Sequence, residues 1–269
     1  MTLKDAVQLL EASGIDSPQN DARLIFSKIG GFPAERLVFE NPTATPEIKD
    51  AVKRRCAREP LQYILGYTDF YRESYRVTPS CLIPRQETEL LVDYAVKHIP
   101  KGEHFIDVCT GSGCIAISVL KNTDSTRATA VDISADALAV AEENARINSV
   151  SDRLRFINAD ALKEPHCGEI YAVLSNPPYV KTSVYSELEP EIKHEPSIAF
   201  LGGEDGADFY RRITELYKPH LKKDGFILFE IGFDQGDILL NIAKKNGMSA
   251  RIIKDYSSLP RLALLTFPI

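Results

Sequence analysis

Phe105-Ile106-Asp107-Val108-Cys109-Thr110-Gly111-Ser112-Gly113-Cys114 is the stretch on which the reading of this chain turns. Phe105 to Cys109 is a short apolar run of strand length, and Cys114 to Leu120 continues as an apolar helical segment. Between them stand two glycines. They let a backbone pass close to a ligand, while a helix starting just behind offers its free N–H groups to a carboxylate or phosphate. A lone Gly-x-Gly is equally what a tight turn needs. The full dinucleotide fingerprint is absent, because Ala116 stands three residues past Gly113 and Thr or Cys occupies the first glycine position.

Outward from that stretch the chain alternates. Ala128 to Asp132 reads as a second strand, Ser134 caps a helix over Ala135 to Asn148, and Arg155 to Ile157 and Ala172 to Ser175 read as the third and fourth strands. A helix over 208–222, a fifth strand from Gly225 to Ile231 and a helix from Gln235 to Asn246 follow. Ser249 to Ile253 and Leu262 to Phe267 make a final strand pair. Such alternation predicts an α/β domain over 91–269, with a mostly parallel sheet and helices on both faces. Upstream, 1–60 reads as a small helical bundle, with Leu3, Val7, Leu9 and Leu10 at helical spacing and further helices over Asp21 to Lys28 and Thr45 to Arg58. Lys53, Arg54, Arg55 and Arg58 read as a solvated helix face. Between the two, 61–90 carries Tyr67 to Val77, split by Arg72-Glu73-Ser74, which predicts a β-hairpin linker.

The 269 residues are 44% apolar and 26% charged, ample for a core and unlike a disordered or low-complexity chain. A net charge of −6 argues against a protein that coats nucleic acid, since that affinity depends on Lys and Arg neutralising phosphates. Cysteines at 56, 81, 109, 114 and 167 make neither a disulfide framework nor the paired spacing of a zinc site. The N-terminus is amphipathic rather than a signal peptide, and no apolar run reaches the roughly 18 residues that span a bilayer. The expectation is a reduced, cytoplasmic, monomeric protein with no membrane partner.

In an open parallel sheet, ligands bind beyond the carboxyl ends of the strands. Three loops there carry chemistry. The glycine loop is the first. The second is Asp132, about 20 residues past the glycines, where an acid accepts both hydroxyls of a ribose; a plain acid ahead of the Ser134 cap is the bland alternative. Asp160, after the third strand, is placed to face an adenine amino group or simply to fill a turn. The third loop is Ser175-Asn176-Pro177-Pro178-Tyr179. Its two prolines fix the backbone and withhold two N–H donors, leaving carbonyl oxygens beside the Asn176 carboxamide and the Tyr179 ring. An amide or aromatic amine, with two N–H donors, would bridge the Asn176 side-chain oxygen and the Pro177 carbonyl. The Tyr179 ring would pack over it or steady nearby positive charge; a plain rigid turn is the bland alternative for Asn-Pro-Pro.

These loops have company along the chain: Pro60-Leu61-Gln62-Tyr63-Ile64-Leu65-Gly66, Leu82-Ile83-Pro84-Arg85-Gln86-Glu87-Thr88-Glu89, and Gly202-Gly203-Glu204-Asp205-Gly206 with Phe209-Tyr210-Arg211. Glu230-Ile231-Gly232 with Gln235, and Lys254-Asp255 with Pro260-Arg261, complete the set. Over essentially its whole length the sequence resembles the class I S-adenosylmethionine-dependent methyltransferases, and within them the peptide-chain release factor N5-glutamine methyltransferases (the PrmC/HemK family). The resemblance implies a Rossmann-like seven-stranded methyltransferase sheet behind an N-terminal helical substrate-binding domain. It implies methyl transfer from S-adenosyl-L-methionine, with S-adenosyl-L-homocysteine as product and no metal, to the glutamine of the Gly-Gly-Gln motif in class 1 release factors. By the same resemblance Thr110, Gly111 and Gly113 would line the methionine part of the cofactor, with Asp107, Cys109 and Ser112 in the same loop. Asp132 would hold the ribose, and Asp160 and Ala161 would flank the adenine. Asn176, Pro177, Pro178 and Tyr179 would hold the substrate amide, with Asn176 also beside the cofactor, and Arg85 and Thr88 would close the site. Two departures stand out: Cys109 occupies a usual glycine position, so the backbone there has to tolerate a Cβ, and Gln86 replaces a common proline. An adenine-N6 or cytosine-N4 amino-methyltransferase of nucleic acid shares the Asn-Pro-Pro-Tyr chemistry, and the acidic balance disfavours it.

Overall fold

The computed structural model describes residues 1–268. Its contacts divide into two units: Met1–Thr68 together with Glu189–His194, and Asp69–Leu188 together with the chain from Glu195 onward.

The first unit is helical, with α1 (Leu3–Ala12), α2 (Pro18–Lys28), α3 (Pro46–Cys56) and α4 (Leu61–Leu65). Thr2 and Asp5 form a capping box that satisfies two free N–H groups at the start of α1. Pro18 and Pro46 sit in first turns, where a missing donor costs nothing. Leu3, Ala6 and Leu10 of α1 pack with Ile25 and Phe26 of α2 and with Ile48 and Val52 of α3. Leu9 falls outside this stripe and is 49% exposed. The basic run of α3 is not the solvated face that its composition predicts. Lys53 is exposed, but Arg55 is buried, bonded to Asp21 at 2.8 Å and Glu191 at 3.1 Å, while Arg58 reaches Glu191 at 2.7 Å. Both carboxylates come from elsewhere in the chain, so no local charge pattern reveals them.

β1 (Tyr67–Phe70) and β2 (Glu73–Arg76) form the expected hairpin as a two-stranded sheet. The second unit then runs α5 (Glu89–His98), β3 (His104–Val108), α6 (Cys114–Lys121), β4 (Arg127–Asp132), α7 (Ala135–Ile147), β5 (Leu154–Asn158) and β6 (Ile170–Ser175). After a long loop come α8 (Asp208–Tyr217), β7 (Leu221–Glu230), α9 (Gly236–Lys245), β8 (Ser249–Lys254) and β9 (Pro260–Thr266). The seven-stranded sheet has the order β5-β4-β3-β6-β7-β9-β8. Strands β3 to β7 pair in parallel, and β9 runs antiparallel to both β7 and β8. Alternate strand residues feed opposite faces: Phe105 and Leu174 join one core with Leu91 of α5 and Ile117 of α6, while Ile106 and Val173 join another with Ile213 of α8 and Leu239 of α9. The α/β architecture is therefore as the alternation predicts.

One boundary differs. The helix expected over 208–222 stops at Tyr217, and Lys218–His220 forms a 3-10 turn before β7 begins at Leu221. Pro219 lacks the N–H that another helical turn would use. No helix among the described residues is long and apolar enough to cross a membrane.

The order of strands places the site. The chain starts at β3, steps outward to β4 and β5, then returns to β6 on the other side of β3. The loops at the carboxyl ends of β3 and β6 thus diverge and leave a crevice between them.

Candidate active site

Asp107, one residue before the end of β3, is fully buried, and its Oδ2 accepts the Thr110 hydroxyl at 2.6 Å and the Ala116 N–H at 3.2 Å. Its Oδ1 is buried without a partner among the described residues. Burial holds the carboxyl up to about 7, with those two donors pulling the other way. Thr110 is tied twice, since its own N–H also donates to the Val131 carbonyl. Gly113 begins α6 at a φ of 80°, and a Cβ there would meet Ile117 at 2.9 Å and Ala141 at 3.0 Å. That glycine therefore serves both the turn and the close packing of α6 on α7. Cys109 takes a φ of 62°, the left-handed conformation that glycine adopts freely. Burial pushes its thiol well upward, which favours the protonated form over the nucleophilic thiolate.

Asp132 ends β4 and braces the loop. Its Oδ2 accepts the Gly111 N–H at 2.8 Å and its Oδ1 the Ser134 N–H at 2.9 Å. Burial raises its pKa against these bonds. Each oxygen retains a further lone pair for a hydroxyl donor. Asp160 caps its own turn, its Oδ1 accepting the Leu162 N–H at 3.0 Å. Cys109, Gly111, Asp132, Asp160, Ala161 and Asn176 all line one cavity, and Pro178 is a further wall. Phe209, quoted above only as part of the resemblance, adds an apolar wall, and so do Ile133, Leu162 and Ile198, which no motif of the sequence marks. Carboxylates facing a slot with flat apolar sides suit a nucleoside, whose ribose donates hydrogen bonds and whose base seeks dry surfaces. Asp107, Thr110, Ser112 and Gly113 support this wall from behind rather than line it.

The Asn-Pro-Pro-Tyr loop follows β6. Asn176 donates from Nδ2 to the Thr88 hydroxyl oxygen at 3.3 Å, and that hydroxyl donates to Glu230 at 2.6 Å. Pro177 and Pro178 are buried. The Tyr179 carbonyl accepts from Gln235 Nε2 at 3.0 Å, and Val180 exchanges bonds with Phe200 and Gly202 at 2.8 and 2.9 Å. A Cβ on Gly202 would sit 2.7 Å from the Pro178 oxygen and the Tyr179 Cα, so only glycine lets the two loops close together. Thr88 thus stands against Asn176, whereas Arg85 turns to the buried Glu195. Neither lines the cavity.

Three buried polar residues hold the site and escape sequence reasoning as site members. Asn144 donates to the carbonyls of Arg76 and Ser112 and accepts the Arg76 N–H, fastening the glycine loop. Its one legible signal is a polar residue on the apolar stripe of Leu138, Ala141 and Ala145. Gln235 binds Tyr179, Gly206, Gly232 and Tyr210 together. Glu230 is buried at the end of β7.

A seven-stranded sheet with this crevice defines a methyltransferase-type domain, and residues 86–192 match the methyltransferase small domain family. The fold alone is shared with the ribosomal protein L11 methylase of Lactobacillus delbrueckii subsp. bulgaricus, at a TM-score of 0.54 and 19% identity over 72% of this chain and 85% of that one. Residues 2–66 match the PrmC N-terminal domain family. Two relatives named release factor glutamine methyltransferase span nearly everything: that of Thermodesulfovibrio yellowstonii is 39% identical over 86% of both chains, and that of Moorella thermoacetica 33% identical over 97% of this chain and 96% of its own. The chain belongs to the release factor glutamine methyltransferase family.

Proposed function

We propose that the chain transfers a methyl group from S-adenosyl-L-methionine to the side-chain amide nitrogen (N5) of the glutamine in the Gly-Gly-Gln motif of class 1 peptide-chain release factors. S-adenosyl-L-methionine supplies an electrophilic methyl carried on a sulfonium. The observation that carries the reading is the state of Asn176. Its Nδ2 is committed to Thr88, so the remaining polar atom, Oδ1, is the one offered to the cavity that Asn176 lines. With the Pro177 carbonyl next to it in the chain, the loop would offer two acceptors to the two N–H groups of a primary amide. An amide nitrogen is a poor nucleophile because its lone pair is delocalised, and holding both N–H groups favours attack out of the amide plane. Asp132 would accept the ribose hydroxyls, while Ala161 and Asp160 would border the base. What these residues contribute is positioning and exclusion of water. The helical unit carries no site motif, and its assigned role is to dock the intact factor.

An amino-methyltransferase of nucleic acid would use the same two acceptors, yet it needs a basic groove to hold a flipped base, and the chain carries a net charge of −6. Incubation with labelled S-adenosyl-L-methionine and either a release factor or DNA, followed by mass spectrometry, decides between them. Label is expected on the Gly-Gly-Gln glutamine; label on DNA and none on that glutamine overturns the reading.

A further inference from the structure

The Asn176 carboxamide is symmetric in shape and asymmetric in chemistry, because a half-turn exchanges the acceptor Oδ1 for the donor Nδ2. Only one orientation presents an acceptor to an incoming N–H. What selects it lies outside the loop. Nδ2 donates to Thr88 Oγ1 at 3.3 Å, and the Thr88 hydroxyl donates to Glu230 Oε2 at 2.6 Å. An ionised carboxylate has no proton to give, so it takes the hydroxyl proton and leaves Thr88 only an accepting role toward Asn176. Nδ2 then has to face Thr88. A protonated Glu230 would donate to Thr88 instead, freeing the hydroxyl proton and removing the preference.

We infer that Glu230 and Thr88 are positioning residues that hold the Asn176 carboxamide with Oδ1 toward the acceptor, a role that rests on the amide-methylating reading above. Both side chains are buried, so water does not compete for the relay. Residues 88, 176 and 230 come from three separate elements that meet only through the sheet, which gives the carboxamide an anchor independent of its own loop. Burial holds Glu230 up to about 7, so the lock engages as pH rises through neutrality. The groups that face Glu230 are Arg85 and Glu87 ahead of α5, Cys114 of α6, Tyr179 after β6, Tyr210 of α8 and Arg261 of β9. The two arginines favour its ionised form and Glu87 opposes it. Burial raises Cys114, Tyr179 and Tyr210, which keeps them neutral across this range. Asp107 titrates in the same window from its own strand, so the experiment has to isolate Glu230.

The side-chain NH2 resonances of Asn176, followed by NMR in the full-length protein without substrate, report the relay directly. They are expected to shift between pH 5.5 and 9 with a midpoint near neutrality. Glu230→Gln keeps an acceptor for the Thr88 proton but does not ionise, and it should abolish that midpoint while leaving Asp107 in place. In methyl transfer to a release factor, the same variant should lose an acid limb from its kcat profile and run severalfold slower at pH 9. Thr88→Val should lower kcat roughly 10- to 100-fold while KM and cofactor affinity move less than about twofold, and Thr88→Ser should restore most of the rate. Resonances that do not titrate, a midpoint that persists in Glu230→Gln, or a Thr88→Val enzyme that turns over like wild type would each overturn the inference. The NMR titration requires no methyl transfer, so it separates failure here from failure of the methyltransferase reading.

Discussion

Cys109 occupies a φ of 62° with a Cβ that the left-handed region disfavours, and it does so on the wall of the cavity. A straight, small side chain tolerates that conformation; a β-branched one clashes with its own backbone. Cys109→Val should therefore destabilise the protein by roughly 1–2 kcal/mol and weaken cofactor binding, whereas Cys109→Gly should retain binding; denaturant titration and calorimetry measure both. Asn176 and Asp132 should separate the two halves of the reaction. Asn176→Ala is expected to cut turnover by orders of magnitude with cofactor affinity nearly intact, and ordinary turnover would refute its role. Asp132→Ala removes a charged acceptor, worth roughly 10- to 100-fold in affinity by calorimetry, and also strands the Gly111 and Ser134 N–H groups. The identity of these residues was open to a sequence reading because glycine, proline and a strand-ending acid constrain the chain within a few residues. The orientation of Asn176 was not, since the atom that fixes it belongs to a residue 88 positions away.

Among the elements, α3 shows how a helix face can mislead. Lys53 and Arg55 lie two residues apart in one basic run, yet one is exposed and the other is buried between Asp21 and Glu191. Arg55→Met leaves the buried Asp21 without its cation, while Glu191 keeps Arg58, and should cost roughly 3 kcal/mol, whereas Lys53→Met should stay within about 0.5 kcal/mol, both read from the midpoint of chemical denaturation. Strands and helices of the sheet domain were legible because apolar period and glycine breaks are local signals. The early end of α8 had a local signal too, in Pro219. Segment 189–194 had none: its membership in the helical unit depends on Glu191 meeting Arg55 and Arg58, more than a hundred residues earlier.

For the whole molecule, two buried carboxyls set a pH dependence of stability. Asp107 and Glu230 ionise near 3.8 and 4.5 when free, and burial in the fold holds each up to about 7. Between those values the folded state binds more protons than the unfolded one, so their contribution falls as pH rises and the penalty is complete above about 7. Glu230→Gln removes one such penalty. Its stability relative to wild type should improve on going from pH 5 to pH 8, by on the order of 3 kcal/mol. Parallel thermal scans at the two pH values check this, and a gap that stays constant would refute it. His104, whose pKa burial lowers, works in the opposite direction but is common to both proteins and cancels.

The alternation of strand and helix, the glycine loop, the strand-ending acids, the Asn-Pro-Pro-Tyr stretch and the family resemblance are all contained in the order of residues. Each expresses a constraint that acts over one turn or one strand, or a motif that can be read as a string. The sheet order, the partners of Arg55, the clasp of Asn144 on the glycine loop and the relay from Glu230 through Thr88 to Asn176 were decided by the tertiary structure alone. A hydrogen bond between residues 142 positions apart, such as that from Thr88 to Glu230, exists only once packing has closed the chain between them, and no local preference encodes that closure.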